Sequence, residues 1–136
     1  MARMPFTSPP YSAVSESRAI NKGGFKMRKD FGKKTWFYPL PVLIVGSYDE
    51  NGKADAMNAA WGGIYDQDHV ILCLSANHKT TQNIKASGAF TVSFADLAHL
   101  VEADYVGLVS ANDVDDKLEK AGFHATHSLL VDAPVI

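Results

Sequence analysis

Apolar positions fall into order only from about Trp36 onward. Val42-Leu43-Ile44-Val45 is a short unbroken apolar run and reads as a buried strand. Asp49-Glu50-Asn51-Gly52 follows with turn residues, Gly52 being able to take positive φ, and Lys53 to Ala60 reads as the returning strand of a hairpin. His69 to Ser75, apolar almost throughout, predicts a third strand. Ala89 to Phe94 predicts a fourth, in which Phe90, Val92 and Phe94 share one face and Thr91 and Ser93 the other. Between these two strands, Thr80 to Ala86 predicts a short helix with Thr80 or Thr81 near its N-cap and Gly88 just past its end. Further helices are expected over about Leu97 to Tyr105 and Asp113 to Ala121. The latter has Asp113, Asp115 and Asp116 in its first turn, Lys117 and Lys120 later, and Gly122 as its stop.

Short strands joined by tight turns, with helices inserted late and no internal repeat, predict a mainly β fold. The expected architecture is an antiparallel barrel or sheet carrying peripheral helices, not a series of βαβ units. Residues 1–26 contain Pro5, Pro9, Pro10, Gly23, Gly24 and several serines, sustain no period, and lack the apolar stretch of a secretory signal. They read as a disordered arm, or as a stretch extraneous to the native chain with Met27 as an alternative start, leaving 27–136 as the folded domain.

Composition narrows the class. At 136 residues the chain is one domain, long enough to bury a real core. A hydrophobic fraction of 46% and a charged fraction of 21% describe a soluble protein. No apolar run approaches the ~20 residues of a membrane span. The single cysteine, Cys73, excludes an intrachain disulfide and reads as a small buried hydrophobe in the third strand, which fits a reducing, cytoplasmic compartment. Lys22, Lys26, Arg28, Lys29, Lys33 and Lys34 face one acid, Asp30, between residues 21 and 34. Without the interleaved aromatics of an RNA-binding motif this cluster reads as a solvated flank, so no nucleic-acid partner is expected.

Two segments carry candidate chemistry. At the loop entering the Thr80 helix, unpaired first-turn N–H groups and the helix dipole favour an anion, Lys79 adds charge, and Thr80 and Thr81 add hydroxyl donors. A phosphate monoester is a natural guest there; an ordinary capped surface helix is the plainer alternative. In Asn58-Ala59-Ala60-Trp61-Gly62-Gly63, small side chains let a planar group approach the backbone, Asn58 can hydrogen-bond to it, and Trp61 can wall a pocket or equally fill a core or an interface. Together the segments have the profile of a flavin mononucleotide (FMN) site.

Other motifs fail on their spacing. Gly46 to Lys53 places five residues between its glycines where a nucleotide phosphate loop has four, and Ala54 stands where that loop has serine or threonine. His124 and His127 are three apart but have no third ligand in view, so no metal is expected. Neither a G-x-S-x-G elbow nor a cysteine–histidine signature provides a nucleophile.

The runs Pro41-Val42-Leu43-Ile44-Val45-Gly46-Ser47-Tyr48-Asp49-Glu50-Asn51-Gly52, Met57-Asn58-Ala59-Ala60-Trp61, Leu74-Ser75-Ala76-Asn77-His78-Lys79-Thr80-Thr81-Gln82-Asn83-Ile84 and Ser87-Gly88-Ala89-Phe90-Thr91-Val92 resemble the flavin reductase-like, FMN-binding split-barrel family, near its flavoredoxin branch. The resemblance extends from about residue 28 to residue 136. It implies a homodimeric antiparallel split β-barrel that binds FMN non-covalently near the subunit interface. It further implies that Asn58, Ala59, Ala60 and Trp61 contact the ring and ribityl chain, and that Ser75, Ala76, His78, Lys79, Thr80 and Thr81 surround the chain and phosphate, with Asn83 nearby. Asp104 to Ser110 and Lys117 to Gly122 also look like family segments and are expected as positional or interface elements. Family members continue beyond the equivalent of Val131 to Ile136, so the expected barrel lacks the family's C-terminal strands or is part of a longer protein.

The expected function is that of an FMN-dependent oxidoreductase in which a nicotinamide delivers hydride to flavin N5 and no side chain serves as catalytic acid or base. A flavoredoxin-like electron carrier served by a redox partner shares every cofactor residue. A cofactor-free structural or anion-binding module is the alternative from another class.

Overall fold

The computed structural model describes residues 29–136. The chain divides into two units, 1–35 and 36–136. In the described part of the first, the Gly32 N–H donates to Asp30 Oδ1 at 2.7 Å and the Lys29 ammonium lies 5.4 Å from the centre of the Phe31 ring. The arm expected over residues 1–26, and the alternative start at Met27, lie outside the described residues.

The second unit is organised around β1 (Leu43–Tyr48). It pairs antiparallel with β2 (Ala54–Ala59) on one side; β5 (Thr91–Phe94), the fifth strand in chain order, pairs antiparallel on the other, giving the order β2-β1-β5. The unbroken Leu43-Ile44-Val45 run follows from that central place, because β1 is covered on both faces. On one face Leu43 and Val45 pack with Met57, Ala59, Ile84, Phe90 and Val92; on the other Ile44 packs with Ala56, Ala103, Val106 and Leu118. The β1–β2 turn is fixed by Asp49, whose Oδ1 accepts the N–H groups of Asn51 and Lys53 at 2.8 and 2.9 Å. Burial pushes the Asp49 carboxyl upward, but those two N–H groups, aided by Lys79 and Lys53, outweigh it and hold the group below the usual carboxylate range.

Helix α1 (Lys79–Ser87) covers the first face and ends at Gly88, which takes the left-handed conformation at φ 72°. Helices α2 (Leu100–Leu108) and α3 (Lys117–Ala121) cover the second. Beside this sheet, β3 (Gly62–Ile64) and β4 (Val70–Leu72) form an antiparallel ribbon, and the short strands β6 (Thr126–His127) and β7 (Pro134–Val135) form another pair. The Thr91 hydroxyl donates to the Pro134 carbonyl, fastening β7 to β5. Among the described residues no helix is long and apolar enough to cross a membrane.

The mainly β, antiparallel class read from the sequence is the class observed, and the element boundaries are moved by local capping. The Asp96 carboxylate takes the His99 N–H at 2.9 Å and holds 96–99 as a turn, so α2 starts at Leu100 and not at Leu97. Asp116 gives its carboxylate to Lys53 at 3.2 Å, makes no side-chain cap, and α3 begins only at Lys117. The third strand is limited to Val70–Leu72, because the chain turns at Ser75, whose carbonyl accepts the His78 N–H. Cys73 is exposed and not buried: it lies past the end of β4, whose Val70 and Ile71 are exposed as well.

Candidate functional site

The N-terminus of α1 opens into a hollow of about 180 Å³, lined by Met57, Asn58, His78, Lys79, Thr80, residues 106–111 and Lys117. His78 is the N-cap residue and makes no side-chain cap, so the first-turn N–H groups lack the partner that a capping hydroxyl or carboxylate would supply. Lys79 lies beside them, and its ammonium reaches Glu50 at 3.4 Å in a half-exposed pair. The last turn of α2 forms the opposite wall. Gly107 is required there, since a Cβ at this position would lie 2.8 Å from Asn58 Cβ. Asn58 in turn donates from Nδ2 to the Ala103 carbonyl at 3.2 Å, which fixes its amide against α2.

Beneath the first turn of α1 is a polar group that the sequence does not announce. Thr80, 1% exposed, donates its hydroxyl to Asp55 Oδ2, and Asp55 Oδ1 faces the Lys117 ammonium at 3.5 Å. Asp55 and Lys117 are 4% and 5% exposed. Oδ1 has no hydrogen bond of its own, so the ion pair is close but not tight. Burial pulls the Lys117 ammonium below its ordinary value, and the Asp55 charge opposes that shift. Lys117 and Lys79 also line an adjoining hollow of about 230 Å³.

Met57, Asn58 and His78 also border an open hollow of about 280 Å³, lined further by Ala59, Ala60, Trp61, Cys73, Leu74 and Ser75. Trp61 is 58% exposed on its edge. The two glycines after it serve different ends. A Cβ on Gly62 would meet the Ile71 carbonyl and a Leu72 methyl at 2.8 Å, so its smallness lets the ribbon close on itself; Gly63 has open space around it.

Of the eleven residues singled out from the sequence, Asn58, Ala59, Ala60, Trp61, Ser75, His78, Lys79 and Thr80 line these hollows, which meet at Asn58 and His78. Ala76, Thr81 and Asn83 do not. Asn83 is buried and donates to Ser47 Oγ at 3.2 Å, tying α1 to β1. The Thr81 hydroxyl is buried without a partner. Thr80 borders the hollow, while its hydroxyl is committed to Asp55. Asp55, Lys117 and the 106–111 wall were missed as site components. An acid placed inside the small and apolar Ala54-Asp55-Ala56-Met57 strand is the signal that could have found the pair.

The sequence model of the Flavin reductase like domain matches residues 35–136. Flavoredoxin of Desulfovibrio vulgaris (Miyazaki F) superposes with a TM-score of 0.77 at 34% identity, over 80% of this chain and 60% of that one. Flavoredoxin from Methanosarcina acetivorans gives 0.71 at 26% identity, over 82% and 59%. An FMN-binding domain of a flavin reductases-like enzyme from Shewanella baltica OS155 gives 0.66 at 27% identity, over 70% and 50%. The chain thus spans between half and three-fifths of the length of these proteins. None of the curated proteins compared matches it. With three-quarters of its length matched by the family model and the antiparallel architecture shared with its structural neighbours, the chain belongs to the flavin reductase-like family.

Proposed function

We propose that this chain binds FMN non-covalently and acts as an oxidoreductase that takes hydride from a nicotinamide. One observation carries the reading: two hollows of unlike character meet at Asn58 and His78, one at the uncapped start of α1 beside Lys79, the other along the small residues Ala59 and Ala60. Their volumes of about 180 and 280 Å³ together reach the lower end of the roughly 300–1,000 Å³ usual for small-molecule sites. A phosphate suits the first, where N–H groups and a lysine converge. A flat ring suits the second, which runs along the small side chains of Ala59 and Ala60.

Bound FMN supplies the hydride and electron chemistry. The chain's own residues bind and orient. Asn58, its Nδ2 fixed on the Ala103 carbonyl, presents a pre-set amide at the junction. The backbone of Ala59 and Ala60 would address a ring edge, and Trp61, which borders the same hollow, would give that edge an apolar cover. The exposed apolar side chains of the ribbon, Ile64, Tyr65, Val70 and Ile71 among them, support a homodimer that covers the same end; light scattering tests it.

A second reading is an electron carrier that receives electrons from a protein partner, favoured by the likeness to two flavoredoxins. The first test is retention of the visible flavin band after purified protein is mixed with FMN and desalted. Loss of the band refutes both readings and leaves an anion-binding module. Anaerobic stopped-flow mixing with NADH and NADPH then separates the two: rapid bleaching supports the reductase, and no bleaching with either nucleotide supports the carrier.

A further inference from the structure

We propose that a hollow at the start of α2 is a second small-molecule site, separate from the flavin site, and that it takes a phenol: one aromatic ring whose neutral hydroxyl donates to His99 Nε2. At about 400 Å³ this hollow exceeds each of the three described above, and it lies by itself within the roughly 300–1,000 Å³ usual for small-molecule sites. It shares no lining residue with the hollows that meet at Asn58. His99 is the N-cap of α2, and Gly107 of the α1 hollow is roughly 12 Å away along the same axis at the α-helical rise. The hollow is therefore open to a guest whether or not FMN is bound.

Its walls are of two kinds. Ile44, Ala95, Phe123 and Ile136 belong to the apolar cluster beneath α2 and α3, so one wall is firm core. Phe94 also lines the hollow and is 74% exposed, so an aromatic guest would cover it. Against this apolar wall stands one pre-set polar group. His99 Nδ1 lies 2.7 Å from Asp96 Oδ1, which also accepts the His99 backbone N–H at 2.9 Å. The ring's hydrogen bond, followed by that of the backbone, holds the Asp96 carboxyl below the usual carboxylate range, so it stays ionised and can only accept. The ring proton must then sit on Nδ1, and the neutral imidazole presents Nε2 as an acceptor. Among the described residues no hydrogen bond to that nitrogen is found. The Phe123 ring centre is 6.4 Å from that of His99, which puts an aromatic wall and the acceptor within reach of one small ring. Other guests fit less well. Asp96, His99 and His124 line the hollow, but among the described residues no three such groups are placed to hold a metal ion. The Asp96 charge disfavours a carboxylate. An ammonium would meet a carboxylate oxygen that already takes two N–H donors, and would leave Nε2 unused.

Phenol and toluene have nearly the same shape and differ in the hydroxyl. Each is titrated into the full chain with and without FMN, binding being read from broadening of the ligand's NMR lines, with the His99 ring nitrogens followed in the wild type. Phenol should move the Nε2 signal, leave Nδ1 in place, and bind roughly two- to tenfold more tightly than toluene, the range for one neutral hydrogen bond. His99→Phe keeps an aromatic ring and removes the acceptor. Toluene should bind to it as before, and the advantage of phenol should vanish. An advantage that survives in this variant overturns the proposal. So does a wild type that binds neither compound, or that holds benzoate or benzylamine more tightly than phenol. Loss of phenol on adding FMN places it in the flavin hollows and overturns the second site. The His99 side chain is 59% exposed and caps no N–H group, so the variant should fold, as circular dichroism checks. If it does not, the wild type still decides: equal affinities for phenol and toluene, or an unmoved Nε2 signal, overturn the assignment.

Discussion

Around Asp55 three elements bring polar side chains together almost out of solvent, whereas around Trp61 a two-stranded ribbon leaves apolar side chains facing it. Thr80, Asp55 and Lys117 are 1%, 4% and 5% exposed, while Ile64 and Tyr65 are 86% and 71% exposed. The usual placement of polar and apolar groups is inverted at the two ends of one candidate site. A buried polar group is stable only while all its members are present, because each that is removed leaves another desolvated and unpaired. An exposed apolar side chain has little folded-state work to lose. Damage at the α1 end should therefore register as lost stability, and damage at the ribbon end as lost affinity.

The largest expected effect is that of Asp55→Ala. It leaves the Lys117 ammonium buried without its counter-charge and the Thr80 hydroxyl without its acceptor. Removing one partner of a buried pair costs about 3–5 kcal/mol, measurable as a lower urea midpoint with unchanged slope. Adding Lys117→Met should return part of that loss, so the two changes should be non-additive. A loss below about 1 kcal/mol for Asp55→Ala would break the comparison, since the polar group would then not be what holds α1 to β2.

Gly107→Ala comes next and probes the junction. The new Cβ would lie 2.8 Å from Asn58 Cβ and 3.3 Å from its amide nitrogen, forcing either Asn58 or the end of α2 to move. Overpacking of this kind costs about 1–3 kcal/mol. Because Asn58 borders both hollows, FMN and riboflavin should be weakened to a similar degree. Selective loss of FMN would place the disturbance wholly on the α1 side and would sharpen the boundary drawn at Asn58.

How far the sequence reveals this arrangement depends on whether the cause is local. The hairpin at Asp49 to Gly52, the helix with its stop at Gly88 and the antiparallel class were readable, because turn residues, a left-handed glycine and short apolar runs act over a few positions. The family's motifs were legible as contiguous runs, and Lys79 and Asn58 among them border the hollows. The ribbon strand β3 was not seen, since Gly62-Gly63-Ile64 has too little pattern to count as a strand and is ordered by pairing with β4. In the sequence Lys117 is one of two basic residues of its helix and nothing nearby distinguishes it from Lys120; its burial follows from Asp55, 62 positions earlier. Cys73 erred in the other direction, because an apolar neighbourhood in sequence does not guarantee a covering layer in space.

Trp61→Ala gives the smallest effect and the clearest contrast with Asp55. The indole is 58% exposed and appears in neither buried apolar cluster, so stability should change by no more than about 0.5 kcal/mol. If the side chain covers a bound ring, its removal costs the stacking contribution of one aromatic, about 0.5–1.5 kcal/mol, or roughly a two- to tenfold weaker affinity. That weakening should be equal for FMN and riboflavin, because the indole borders the hollow along Ala59 and Ala60 and not the one at α1. Flavin titration beside urea denaturation reads both quantities on one preparation. An unchanged affinity would move the ring away from Trp61. A stability loss as large as that of Asp55→Ala would show the ribbon to be held by this side chain, and the contrast between the two ends would fail.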